Sequence, residues 1–359
     1  MRDVAASDGR SLEDSLARLA AGDVRVLSRA VSLVENATAR GMELLERVYA
    51  QAPHPWVIGF TGVGGAGKST LLPQVAEHFA NRGERVAILA VDPSSPITGG
   101  AVLGDRIRSL RAPHDGVYFR SIASRGGAGG LSTCIADVVR LMSAGGRRIV
   151  LVETVGAGQS EVAIRNIAHT TVVVTAPGLG DEVQAMKAGI LEIGTVLVVN
   201  KADLSGADEA ANTLQHVMAL APSAGHMTEG MNEADEQHGL RWFAPVVKTS
   251  ALSGEGMQTL MRHLLDHREF LERSGDYARC NRVRDRARME ERLRALVLER
   301  AMERARATGL WHSVEHRLQT GQTDPMRAAR EIAEAVVTPV VYHADTAPHE
   351  VGPQDPALK

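Results

Sequence analysis

Residues Gly59–Asp92 read GFTGVGGAGKSTLLPQVAEHFANRGERVAILAVD, and the fold turns on how this stretch is read. An apolar run beginning at Trp56 enters Gly62–Ser69, GVGGAGKS, which fits G-x-x-x-x-G-K-[ST]. A helical pattern follows from Ser69 to Asn81, and a second apolar run ends at Asp92. Strand, glycine loop, helix, strand is the context a phosphate-binding loop requires. Glycines allow backbone amides to turn inward around a phosphate, and the helix N-terminus adds its positive dipole end. Gly62, Val63, Gly64, Gly65, Ala66, Gly67, Lys68, Ser69 and Thr70 are therefore the expected phosphate contacts. Lys68 is expected to bridge β- and γ-oxygens, and the Ser69 hydroxyl to ligate Mg²⁺.

Working outward, WVIGFTG, RVAILAVD, RRIVLVETVG, TTVVVTAP, TVLVVNKAD and FAPVVKTSA are short apolar runs separated by helical stretches. Runs apolar on both faces suit a mainly parallel sheet covered on both sides, so the fold class is α/β, a doubly wound P-loop domain over residues 51–270. Residues 1–50 read as an N-terminal helical arm, with Asp23 placed to cap a helix carrying Val26, Leu27, Ala30, Leu33 and Val34. Residues 271–338 read as a C-terminal helical arm, Arg- and Glu-rich with Met289, Leu293, Leu296 and Val297 at helical spacing and further pieces near Leu310–Leu318 and Pro325–Val337. Its arginines are interleaved with glutamates, which describes a solvated helix face and not a nucleic-acid surface. The tail, 339–359, has the composition of a disordered segment.

Composition narrows the setting. The chain has 359 residues, 44% apolar, and a net charge of −3, enough for a proper core. No run approaches the roughly 18 apolar residues of a spanning helix, and acids stand where a signal or transit peptide avoids them, so a cytoplasmic protein without membrane association is expected. Cys134 and Cys280 are far apart and lack metal-ligand neighbours, which points to a reducing compartment. Only five of the 40 basic residues are lysines, and Lys68, Lys187 and Lys201 fall inside motifs.

Carboxylates at the carboxyl ends of such strands face bound phosphates. Asp92, Asp105 and Glu153 are the candidates for Mg²⁺, directly or through water. Gly156, in ETVGAGQSE, stands where a backbone amide can sense a γ-phosphate, and Gln159 or Glu161 could orient the attacking water. Asn200–Asp203, NKAD, closes a strand, and Thr249–Gly256, TSALSGEG, follows the next. A carboxylate at Asp203 accepts from guanine N1–H and the 2-amino group, which adenine lacks. Asn200 is expected at the other purine edge, the Lys201 stem along the ring, and Ser250, Ala251 and Leu252 beside O6. The nucleotide is thus GTP or GDP in preference to ATP.

Together GFTGVGGAGKST, LAVDPSSPITGGAVLGDRIR, SRGGAGGLS, LVETVGAGQSEVA, PGLGDEVQAMKAGILEI, VVNKAD and TSALSGEG resemble the methylmalonyl-CoA mutase-associated GTPases, GTPase chaperones of adenosylcobalamin enzymes formerly described as transport kinases. The resemblance covers most of residues 55–270. It implies GTP hydrolysis with Mg²⁺, a homodimer formed through the C-terminal arm, and a complex with an adenosylcobalamin-dependent acyl-CoA mutase whose cofactor loading and reactivation hydrolysis gates. It implies a mobile GLGDEVQAMKAG segment, with Asp181, Glu182 and Lys187 as switch residues and Glu153 in place of the more common aspartate. Gly64 and Ala66 depart from the family's GxPGVGKS loop, and Ala128 from its SRGxLGGxx stretch. The 2-hydroxyisobutyryl-CoA mutase is as admissible a partner as the methylmalonyl-CoA enzyme. No D-x-H-x-x-G element occurs, so cobalamin enters only through the mutase. The rival readings are a metallochaperone GTPase using His263 and His267 or His312 and His316, a transport-protein kinase, and a non-hydrolysing scaffold.

Overall fold

The computed structural model describes residues 11–93, 116–124, 133–154, 163–178, 188–220 and 241–336. The chain forms two compact units, one running to Arg286 and one beginning at Ala287. In chain order the elements are α1 Leu12–Ala20, α2 Val24–Glu35, α3 Ala39–Gln51, β1 Trp56–Gly62, α4 Lys68–Ala80, β2 Val86–Pro93, β3 Val117–Ser124, α5 Thr133–Ala144 and β4 Ile149–Thr154. There follow β5 Thr170–Thr175, α6 Ala188–Ile193, β6 Val196–Val199, α7 Ala207–Leu220, β7 Val246–Lys248, α8 Met257–Ser274, α9 Asp276–Ala307, α10 Leu310–Gln319 and α11 Pro325–Val336.

The seven strands run in the order β3-β2-β4-β1-β5-β6-β7, and every pair is parallel. β1 is the central strand, with β4 on one side and β5 on the other, so the chain winds away from it in both directions. The loop after β1 opens at this switch point, the crevice where ligands of open α/β sheets bind.

Alternate residues of each strand enter different cores. Trp56, Ile58 and Phe60 of β1 pack with Ile149, Leu151, Val172 and Val174 against α4 and α8. Val57, with Ala87, Leu89, Val150 and Val152, packs instead against α2, α3 and α5. A smaller core gathers Val173, Leu197 and Val199 with α6 and α7. Strands covered on both faces have no polar side to show, which explains their continuous apolar reading.

The N-terminal helices share the core of one sheet face. Leu27, Val31, Val34, Leu44, Leu45 and Val48 are buried in the same cluster as Val150 and Val152. Fully burying a leucine or valine contributes about 1.5–3 kcal/mol, so this face depends on the helices. Asp23 caps α2 as expected, its carboxylate accepting from the Arg25 and Val26 amides. Ala37, at φ 49°, and the Thr38 cap then separate α2 from α3.

β3 is absent from the apolar runs, and the structure places it at the sheet edge. Its sequence VYFRSIAS buries Tyr118 and Ile122, while Arg120 reaches across to Glu35 of α2 at 2.6 Å. An edge strand tolerates such polar residues and gives a weaker sequence signal. Among the described residues no helix is long and apolar enough to cross a membrane.

Candidate functional site

The loop between β1 and α4 is shaped by three glycines with positive φ: Gly62 at 122°, Gly65 at 75° and Gly67 at 88°. A Cβ at Gly62 would run into the Val174 carbonyl of β5, and one at Gly67 into the Asn200 amide. Among the described residues nothing stands within 4 Å of a Cβ placed at Gly64 or Gly65, so none of them crowds the turn between the two tightly held glycines. The loop is a cradle, fixed at its ends and free along its rim. Gly67 serves as N-cap of α4 with no side-chain cap, which leaves the first amides of that helix for an anion.

Lys68 is only 6% exposed and folds over its own loop. Its Nζ donates to the Gly62 carbonyl at 2.6 Å and to the Val63 carbonyl at 2.8 Å. A buried ammonium needs such partners to offset its desolvation. Beside it, the exposed Ser69 donates its hydroxyl to Glu153 Oε1 at 2.8 Å. Glu153, 7% exposed, is brought there by register, because β4 pairs Glu153 with Phe60, two residues before the loop.

Hydroxyl and carboxylate are hard oxygen ligands, and the pair fits a Mg²⁺ that takes its remaining ligands from phosphate and water. Among the described residues there is no group of three or more His, Cys, Asp or Glu able to hold a metal by protein ligands alone. The observed pair matches an ion carried with a nucleotide. Asp92 is the penultimate residue of β2, where its backbone is opposite Ala123 of β3. Asp105, Gly156, Gln159, Glu161, Asp181, Glu182 and Lys187 lie outside the described residues.

The other half of the site is built from the ends of β6 and β7. Asn200 is 2% exposed, and its amide makes three hydrogen bonds. Nδ2 donates to the Ala66 carbonyl at 2.8 Å, while Oδ1 accepts from the Ala251 amide at 3.1 Å and the Thr249 hydroxyl at 3.3 Å. Asn200, the residue expected at a purine edge, ties the phosphate loop to the loop after β7. Lys201 next to it has φ 58°, a conformation uncommon outside glycine that turns the chain sharply after β6.

Asp203 is exposed and held below the usual carboxylate range, first by a hydrogen bond from the Ser250 side chain and further by its own backbone amide and by Lys201. It stays ionised at neutral pH and can only accept hydrogen bonds. Ser250 and Ala251 are buried, whereas Leu252 is 86% exposed at the loop tip. Gln74 of α4, which no motif singles out, donates its side-chain amide to the Ala251 carbonyl.

The two histidine pairs have ordinary surroundings. His267 is buried, its Nδ1 2.9 Å from the Thr170 hydroxyl and its ring 4.7 Å from that of Trp242. His263 stands 3.8 Å from Asp266, and in the second unit His312 is 3.7 Å from Glu315.

The family described as Methylmalonyl Co-A mutase-associated GTPase MeaB matches this chain over residues 27–309. A Pyrococcus abyssi protein designated a candidate GTPase is 38% identical over 330 residues, covering 91% of this chain and 97% of that one. The GTPase ArgK of Escherichia coli K12 is 32% identical over 285 residues, 78% of this chain and 82% of its own. The crystal structure of a LAO/AO transport system kinase superposes with a TM-score of 0.63 over 92% of this chain and 99% of that one; at 22% identity it speaks for the fold.

Proposed function

Since the chain belongs to the methylmalonyl-CoA mutase-associated GTPase family and is a GTP hydrolase, we propose that its hydrolysis cycle gates adenosylcobalamin loading, protection and reactivation of a separate acyl-CoA mutase. The mutase enters through the family's description, and the observation that carries the nucleotide cycle is the convergence of two half-sites on one loop. Lys68 and Ser69 with Glu153 stand on its phosphate side, and Asn200 ties its Ala66 carbonyl to the Thr249–Ala251 turn on the base side.

The residues divide the work by their chemistry. Backbone amides at the start of α4 and the Lys68 ammonium would bind the phosphates, Lys68 exchanging its two carbonyl partners for phosphate oxygens. Ser69 and Glu153 would hold Mg²⁺, which supplies charge neutralisation to the transferred phosphoryl group. Asp203, kept ionised by Ser250 and Lys201, selects guanine. Gly156, Gln159, Asp181 and Lys187 are carried over from the resemblance as groups that sense the γ-phosphate, place the water and answer the mutase.

A second copy of this chain is the expected partner through α9, and the cytoplasm the expected compartment. The metal-delivery alternative is disfavoured by His267, whose Nδ1 is taken up by Thr170 within an aromatic cluster.

The test is a pull-down from the native cell extract with the protein loaded with a non-hydrolysable GTP analogue, or with GDP, in magnesium. Co-purification of an acyl-CoA mutase in a nucleotide-dependent ratio is the expected result. Recovery of a hydrogenase or urease maturation component in its place would sink the proposal.

A further inference from the structure

Besides the Asn200 tie, the loop that reads the base has a second anchor. After β7 the chain turns through Thr249, Ser250, Ala251 and Leu252, and this turn is shaped by its own bonds: Ser250 N–H to the Glu255 carbonyl at 3.0 Å and Gly254 N–H to the Ser250 carbonyl at 2.8 Å. Those bonds shape the turn without fixing its distance from the phosphate loop. Two side chains do that. Asn200 accepts the Ala251 N–H and reaches the phosphate loop at Ala66, and Gln74 donates to the Ala251 carbonyl from the second turn of α4, the helix that starts at Lys68.

We propose that Gln74 is a positioning residue for guanine selection. Ala251 is thereby held from both ends, its N–H by a side chain tied to the phosphate loop and its carbonyl by the helix continuing that loop. Ring closure through Ala66, Asn200, Ala251, Gln74 and α4 makes the distance between phosphates and base a fixed quantity. A one-sided anchor would let the turn pivot about Asn200 and blur the contact with O6. Gln74 is part-buried, and nothing places it near the transferred phosphoryl group, so its effect falls on the base and not on the chemical step. The inference rests on the base-site assignment made above.

The experiment measures GDP, IDP and ADP affinities in magnesium, and kcat at saturating GTP, for the full chain and for Gln74→Met, which keeps the length but cannot donate. Loss of one hydrogen bond to a held turn lowers affinity roughly three- to tenfold. The expected result is that drop for GDP and IDP, little change for ADP, and kcat within about twofold of the parent. Should Gln74→Met fold poorly, Gln74→Glu, which also lacks the amide donor, is read the same way, and Gln74→His, which restores an N–H, should recover part of the preference. An unchanged GDP-to-ADP ratio, or an equal loss for all nucleotides together with kcat, overturns the role of Gln74. A parent protein without guanine preference instead removes the base-site reading itself.

Discussion

Asp203 and His169 show how surroundings set the charge of a single side chain. The hydrogen bond from Ser250 and the neighbouring Lys201 keep Asp203 anionic, and in the proposed base site that carboxylate would match the two N–H donors of guanine. Asp203→Asn replaces one acceptor with a donor, which suits the 2-oxo group of xanthine. Guanine nucleotide affinity should fall by at least about tenfold while xanthine nucleotide affinity rises, measured by competition; an unaltered guanine preference would remove the assignment. His169 is fixed in the opposite sense. It is buried, accepts the Val57 amide at Nδ1, reaches Asn281 through Nε2 at 2.9 Å, and stacks on Tyr277 with ring centroids 4.5 Å apart. Burial first, and then Arg284, His54 and His267, push its pKa well below the ordinary 6.5, so the folded chain holds it neutral. Below pH 6.5 the unfolded chain takes up a proton that the folded one refuses, and stability falls with pH. This group contributes at most about 1.4 kcal/mol per pH unit to that fall, and His169→Gln should flatten it in denaturant melts carried below pH 6.5. An identical slope in the variant would show that His169 is not the group responsible.

Among the elements, the phosphate loop depends on neighbours that its motif does not name. GVGGAGKS could be placed between a strand and a helix from its glycines and the periodicity around it, and β1 and α4 stand there. The hold on that loop comes from β5, whose Val174 carbonyl sits against Gly62, and from Asn200 at the end of β6, well over a hundred residues along the chain. Asn200→Ala removes three hydrogen bonds and leaves the Ala66 carbonyl and Ala251 amide without these partners. A destabilisation of about 2–4 kcal/mol is expected, with a loss of affinity for GDP and ADP alike, read by thermal melts and calorimetry. Retention of parental affinity would mean the loop keeps its shape unaided. β3 marks where strand reading fails. Buried on few positions and crossed by Arg120, it takes its place from pairing with β2 and from Glu35 of α2, neither of which is local. NKAD singles out Asn200 in the sequence, but not its bonds to Ala66, Thr249 and Ala251, since the tetrapeptide says nothing about which groups its side chain will meet.

For the molecule as a whole, the chain divides at Arg286, and within the second unit α9 leaves apolar side chains uncovered. Met289, Leu293 and Val297 are 60%, 58% and 55% exposed and follow one another at four-residue intervals, so they form one stripe. Large apolar groups in a row are covered in a stable protein, here by the proposed second copy. Leu293→Glu with Val297→Glu should convert a dimer to a monomer in sedimentation equilibrium while leaving nucleotide affinity within about twofold; a parent that is already monomeric would discard this use of the stripe. The sequence by itself determined the class of fold, the cradle loop, the helical ends and the family, because these rest on periodicity, glycine conformations and motifs within a few residues of one another. Only the tertiary structure decided that Asn200 and Gln74 both bond to Ala251 in the turn after β7, that Ser69 meets Glu153, and that the first helices complete the core of one sheet face. Each of these is a contact between distant segments, and its geometry is set by strand register and packing, which no local pattern encodes.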